Sequence, residues 1–191
     1  MITLVVANQK GGVGKTTTAL NLAASLSAAS RKVLLIDLDS QKNASSASGV
    51  DNITSKLSLL DALVDDKPIN SLILKTDYKF DIIPASQDLI SAEMELMNAN
   101  NPTSILKEKL SVIENKYDYL VIDCPPSLGM LSVSALRAAD KVLIPLQCEY
   151  YSLEGLAAMN QTIGEINAST GDKIKISVIF LSLIHISEPT R

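Results

Sequence analysis

The chain has 191 residues, 47% apolar, 4% aromatic and without Trp, and its formal charge is −4. This is enough for one domain with a real core, built from Ala, Leu, Ile and Val as in α/β proteins with buried parallel strands. The acidic balance argues against a constitutive basic nucleic-acid surface over this stretch and does not exclude a local patch.

Strand-like runs fall at residues 3–8, 33–37, 80–83, 119–123, 141–146 and 174–181. Several are continuously apolar rather than alternating, which fits strands covered on both faces. Between them lie helical patterns. The first begins at Thr16 and has Leu22, Leu26 and Ala29 as its apolar stripe. Others lie at 88–98, around Leu106, Leu110 and Ile113, at 130–139 and at 152–166. Strands alternating with helices imply right-handed βαβ units and an α/β fold with a doubly wound, mostly parallel sheet. Residues 42–56, rich in Ser, Asn and Ala, read as a mobile loop, and 98–103 as a break between helices. No internal repeat is visible. No apolar run is long enough to span a membrane, and no signal peptide is expected ahead of the first strand.

Directly after the first strand comes Lys10-Gly11-Gly12-Val13-Gly14-Lys15-Thr16-Thr17. A strand that runs into a glycine-rich turn and then a helix aims several backbone N–H groups at one point. That point is the positive end of a helix dipole, and it binds phosphate. Lys15 adds a mobile positive charge for the β- and γ-phosphates, and the Thr16 hydroxyl can ligate Mg²⁺. Gln9 stands where the ordinary pattern G-x-x-x-x-G-K-[ST] has its first Gly, and an extra lysine, Lys10, precedes the glycine pair. The segment thus fits a deviant Walker A motif, K-G-G-x-G-K-[ST]. A plain glycine turn with two solvated lysines would share the composition but not the strand before it and the helix after it.

The second strand ends Ile36-Asp37-Leu38-Asp39. Ligands of open α/β sheets sit outside the carboxyl ends of the strands, so both acids are expected near the phosphate cradle. Alone, either could be a helix cap or a solvated turn. Residues 119–123 form an apolar run ending in Asp123, the Walker B pattern, so that Asp123 would hold Mg²⁺ directly or through water. Pro125-Pro126 then forces an extended turn. Cys124 and Cys148 lack CxxC spacing, which suits a reducing cytosol and argues against zinc or a disulfide framework. They read as two small buried residues. The sharper alternative is an iron–sulfur cluster shared across a dimer. Gln147, Glu149, Tyr150, Tyr151 and Glu154 form a polar and aromatic cluster that could border a nucleotide, a dimer interface or an ordinary helix entry.

Four stretches together resemble the ParA/Soj family of partition ATPases: residues 7–18, 35–39, 121–129 and 144–156. MinD-like ATPases and nitrogenase iron proteins share the deviant phosphate loop; the last two stretches select the partition branch. The resemblance runs to about Phe180. It implies an ATPase that uses ATP and Mg²⁺ and forms an ATP-dependent homodimer with the nucleotides sandwiched between subunits. Lys10 would reach the partner's phosphates, Asp39 would position the attacking water, and Asp37 would support the metal shell. With the cradle, this names Lys10, Lys15 and Asp39 as catalytic. It places nucleotide on Lys10, Gly11, Gly12, Val13, Gly14, Lys15, Thr16 and Thr17, and metal on Thr16, Asp37 and Asp123. The resemblance further implies a cytoplasmic, nucleoid-associated protein with no membrane partner. It would bind DNA without sequence preference and respond to a ParB-like activator. Ser40 and Lys42 stand where the family usually has Pro and Gly, which points to altered loop mobility rather than lost chemistry. A MinD-like ATPase that positions a membrane-bound system, and an iron–sulfur redox protein, stay open as alternatives.

The family continues beyond this chain, with base-binding and DNA-contacting residues largely in that further part. Residues 181–191, Leu-Ser-Leu-Ile-His-Ile-Ser-Glu-Pro-Thr-Arg, are what a transposase-type sequencing adapter encodes. The expectation is an ATPase domain over 1–180, truncated, followed by a non-native tail. The sole histidine, His185, then has no function. The run at 174–181 would be an uncovered sheet edge, with weak nucleotide affinity and no ATP-dependent DNA binding for the chain as it stands.

Overall fold

The computed structural model describes residues 1–50, 58–98, 101–147 and 152–181. Its strands are β1 Ile2–Val6, β2 Val33–Asp37, β3 Leu74–Lys75, β4 Asp81–Ile83, β5 Tyr119–Asp123, β6 Lys141–Gln147 and β7 Lys175–Leu181. They form one sheet in the order β3-β4-β2-β5-β1-β6-β7. Every pairing is parallel except that of β3 with β4. The helices are α1 Lys15–Ala28, α2 Asn43–Ala47, α3 Leu59–Leu63, α4 Leu89–Leu96, α5 Ile105–Ser111, α6 Met130–Ala138 and α7 Ser152–Thr170. The doubly wound α/β fold expected from the sequence is the one observed.

The continuous apolar strands divide their side chains between two cores, as the period of two requires. Leu4, Val6, Val33, Leu35, Ile82 and Val121 pack with Ala19 and Ala23 of α1. Val5, Leu34, Ile36, Ile83, Leu120 and Ile122 face the other way, toward Leu59 of α3, Leu89 of α4, Leu106 of α5, Leu131 of α6 and Met159 of α7. The register matters for function. Val6 and Asp37 both pair with Asp123, so the carboxyl ends of β1, β2 and β5 finish level with one another. The loop after β1 therefore emerges beside both acids.

Two expectations are corrected. The buried side of α1 is Lys15, Ala19, Ala23 and Ser27, with Leu22 and Leu26 only partly buried and Ala29 exposed. Small residues let the helix lie close to the sheet, so the largest apolar side chains flank the contact rather than make it. The stretch at 42–56 is not simply a loop. Asn43–Ala47 is helical, and Ala44, Ser45, Ser48 and Val50 are buried; residues 51–57 lie outside the described residues. The short α3, the 3₁₀ turn Ile69–Leu72 and the two-residue β3 carried too little periodicity to be read. Among the described residues β7 pairs only with β6 and forms the sheet edge. Leu181 closes that strand, while residues 182–191 lie outside the described residues.

Candidate phosphate site

Two glycines shape the loop between β1 and α1. Gly12 has φ 73° and Gly14 φ 83°, a left-handed region where a side chain is strained. Gly14 is also the N-cap of α1, which has no side-chain cap, so its first N–H groups stay available to a ligand. Val13 is fully buried and anchors the middle of the loop. Lys15 folds back over the turn, and its Nζ donates to the Lys10 carbonyl at 3.0 Å. Gly11, Gly12, Gly14, Lys15, Thr16, Thr17 and Asp39 line one groove of 530 Å³. The structure thus brings the glycine loop, its lysine and the second acid of β2 to one place.

The acids differ in their surroundings. Asp37 is fully buried and its oxygens are engaged. Oδ1 accepts the Asp39 N–H at 3.1 Å, and Oδ2 accepts the N–H and hydroxyl of Ser45 at 2.8 and 2.7 Å. Burial raises its carboxyl above the usual range, and the Ser45 and Asp39 hydrogen bonds oppose that rise. Asp39 is 9% exposed and faces the groove, with Oδ1 accepting the Gln41 N–H at 2.9 Å.

Asp123 is fully buried, and neither of its oxygens has a hydrogen-bond partner. Burial pushes its carboxyl up to about 7. The nearby Thr16 hydroxyl and Lys15 oppose the rise, and the charges of Asp37 and Asp39 add to it. The Thr16 hydroxyl is close enough to act on Asp123 but falls short of hydrogen-bond geometry with it. Lys15 is likewise drawn below its usual value by burial, with Asp123 and Asp39 pulling it back.

An ionised carboxylate with no partner is costly in a dry site unless a cation compensates it. Asp123 with Thr16 beside it fits a divalent cation. No cluster of three or more His, Cys, Asp or Glu able to hold a metal occurs among the described residues. Asp123 and Thr16 would offer their oxygens to a Mg²⁺, an ion that commonly takes one or two protein carboxylates and leaves the rest of its shell to phosphate and water. Both Asp37 oxygens are already engaged, by the Asp39 N–H and by Ser45.

A family described as "AAA domain" matches residues 1–176. The chain belongs to that family. Its likeness to the chromosome partitioning protein ParA of Myxococcus xanthus is 48% identity over 183 residues, covering 94% of this chain and 64% of that protein. Its likeness to the sporulation initiation inhibitor protein Soj of Bacillus subtilis is 41% over 182 residues, covering 95% and 72%. By these likenesses it falls in the ParA/Soj group of the AAA domain family. The chain spans less than two thirds of the length of the Myxococcus protein. Among solved structures, cobyrinic acid a,c-diamide synthase from Mycobacterium smegmatis, crystallised with an ATP analog and magnesium, superposes with TM-score 0.89 at 35% identity. The match covers 94% of this chain and 74% of that one.

Lys42 has φ 57°, a left-handed position that costs a residue with a side chain about 1–2 kcal/mol. Lys42 then caps the start of α2.

Two residues escaped the sequence reading, and a third, Gln147, was read only within a cluster that could border a nucleotide. Asn8 is buried, donates from Nδ2 to the Pro145 carbonyl at 2.8 Å and accepts the Lys10 N–H on Oδ1 at 3.0 Å. Ser45 ties α2 to Asp37 and accepts the Ala85 N–H on its hydroxyl at 2.9 Å. Gln147, grouped only with a polar cluster, donates to the Gly12 carbonyl at 3.0 Å. Of that cluster, Glu154 is exposed in the first turn of α7, and Glu149, Tyr150 and Tyr151 lie outside the described residues. Cys124 is 1% exposed within the core below the sheet, where burial drives its thiol far up, so it is a packed, protonated residue and a poor thiolate ligand. Cys148 lies outside the described residues. No helix among the described residues is long and apolar enough to cross a membrane.

Proposed function

We propose that this chain is the nucleotide-binding part of a partition ATPase that binds ATP with Mg²⁺, hydrolyses it, and acts as an ATP-dependent dimer on nucleoid DNA in the cytoplasm with a ParB-like activator. The carrying observation is Asp123, buried and without a partner on either oxygen, beside a glycine cradle that also holds Lys15. The names of the ParA and Soj relatives support the partition role. The ATP analog and magnesium of the Mycobacterium neighbour support the cofactors.

In this reading the N–H groups around Gly11 to Thr17 bind the phosphates. Lys15 leaves the Lys10 carbonyl for the β- and γ-oxygens as they arrive. Thr16 and Asp123 hold the cation, with Asp37 behind them. Held there by Thr16 and Asp123, Mg²⁺ would supply positive charge against the negative charge that develops on the phosphates. Asp39 is held from two sides: its N–H is tied to Asp37, and its Oδ1 is tied to the Gln41 N–H. Its remaining oxygen can orient the attacking water, an interaction realised mainly in the transition state. Lys10 adds its charge to the partner's triphosphate when two subunits meet.

The test is a phosphate-release assay beside a binding titration. Asp39→Ala should bind MgATP within about threefold of wild type and lose about 10²-fold or more in turnover. Unchanged turnover would remove Asp39 from the reaction.

A further inference from the structure

Two side-chain amides strap the phosphate loop to β6. Asn8 joins the start of the loop to Pro145, and Gln147 joins its crown, at Gly12, to the last residue of the strand. The Asn8 link sits in the buried base of the loop. The Gln147 link acts on the peptide unit between Gly12 and Val13, where the cradle faces its ligand.

We infer that Gln147 is a positioning residue for the phosphate cradle: by holding the Gly12 carbonyl it aims the Val13 N–H at the bound phosphate. This rests on the phosphate-binding reading above. In a trans peptide the carbonyl and the following N–H point in opposite directions. Gly12 and Gly14, on either side of Val13, line the groove and Gln147 is not among its lining residues, so holding the Gly12 carbonyl at Gln147 sets the Val13 N–H on the opposite side of that peptide, toward the groove. The Gly12 carbonyl takes its hydrogen bond from the Gln147 side chain. Gly12, at φ 73°, lacks the Cβ that would resist rotation of the peptide plane. The buried Val13 side chain holds its own Cα but leaves the preceding peptide free to flip. Gln147 therefore removes a flipped, phosphate-repelling loop from the free ensemble, which is preorganisation of a donor before the ligand arrives. It also ties the cradle to the strand that leads toward α7.

The test uses the full chain, with MgATP and inorganic tripolyphosphate as probes. Tripolyphosphate reads the cradle without a base or sugar. Gln147→Ala should weaken both ligands about three- to tenfold, the size of one lost hydrogen bond. Gln147→Glu keeps the length, loses the donor and sets a carboxylate against the Gly12 carbonyl, so it should weaken both further. The melting temperature of each ligand-free variant should stay within about 1 °C of wild type, as for a surface substitution. The Val13 amide resonance should move downfield when tripolyphosphate is added to wild type, and move less in Gln147→Ala. Wild-type affinity together with a wild-type Val13 shift in Gln147→Ala overturns the inference. So does a loss of affinity that only follows a fallen melting temperature. A wild-type chain that binds neither probe overturns the phosphate reading itself.

Discussion

At Asp123 the protein holds a carboxyl that burial pushes up to about 7, with no hydrogen bond to either oxygen. The consequence for stability has a definite sign. Between the unfolded value near 3.8 and about 7 the folded state keeps a proton that the unfolded state has lost. Stability without ligand should therefore fall as pH rises through that window. Asp123→Asn removes the buried charge, so the ligand-free variant should melt higher than wild type at pH 8 and close to it at pH 4. It should also lose the Mg²⁺ dependence of ATP binding. Thermal melts at the two pH values check this, and equal differences at both would mean that Asp123 does not titrate in the folded chain. In the intact parent protein, Lys15→Ala should abolish tight MgATP binding, because it removes a side-chain charge folded over the cradle. Calorimetric titration at wild-type affinity would take Lys15 out of the site. These residues were legible in the sequence because each belongs to a short contiguous string: Lys10 to Thr17, Asp37 to Asp39, and the apolar run ending in Asp123. Asn8 was not, and Gln147 was legible only as part of a cluster that could border a nucleotide. Their partners lie 137 and 135 residues away in the chain, and no local pattern encodes such a pairing.

The element that links the acids to the rest of the fold is α2. Ser45, 1% exposed, donates its hydroxyl to Asp37 and accepts the Ala85 N–H, so one side chain joins the ends of β2 and β4 and holds the turn that carries Asp39. Ser45→Ala leaves a buried N–H unpaired and takes one donor from Asp37, a cost of about 1–3 kcal/mol. It should lower the melting temperature by about 2–10 °C and reduce turnover through misplacement of Asp39. A melt indistinguishable from wild type would mean that α2 is not anchored there. The larger elements were readable from sequence because their apolar runs are long. β2 and β5 match the expected ranges, and α6 ends within a residue of the expected one. α2 was hidden because Ser and Asn dominate it, and such residues favour caps and turns in isolation. Its burial against Asp37 and Ala85 is a tertiary effect.

For the whole molecule, the sheet order sets β1 between β5 and β6, so the phosphate loop rises from the middle of the sheet with Asp37 and Asp123 level on one side. The sequence carried the alternation of strands and helices that implies a doubly wound sheet, but not the order of its strands, which depends on packing between distant segments. The proposed function requires this face to meet its copy through ATP, with Lys10 completing the partner's site. Asp39→Ala, which should hold ATP without consuming it, isolates that step, and Lys10→Ala added to it removes only the cross-subunit charge. Light scattering of both variants with MgATP is the most direct measurement. The expected result is a dimer mass for Asp39→Ala with MgATP, a monomer mass with MgADP, and a monomer mass for the double variant with either nucleotide. A double variant that dimerises with MgATP as fully as Asp39→Ala, or an Asp39→Ala protein that binds MgATP and stays monomeric, would contradict it.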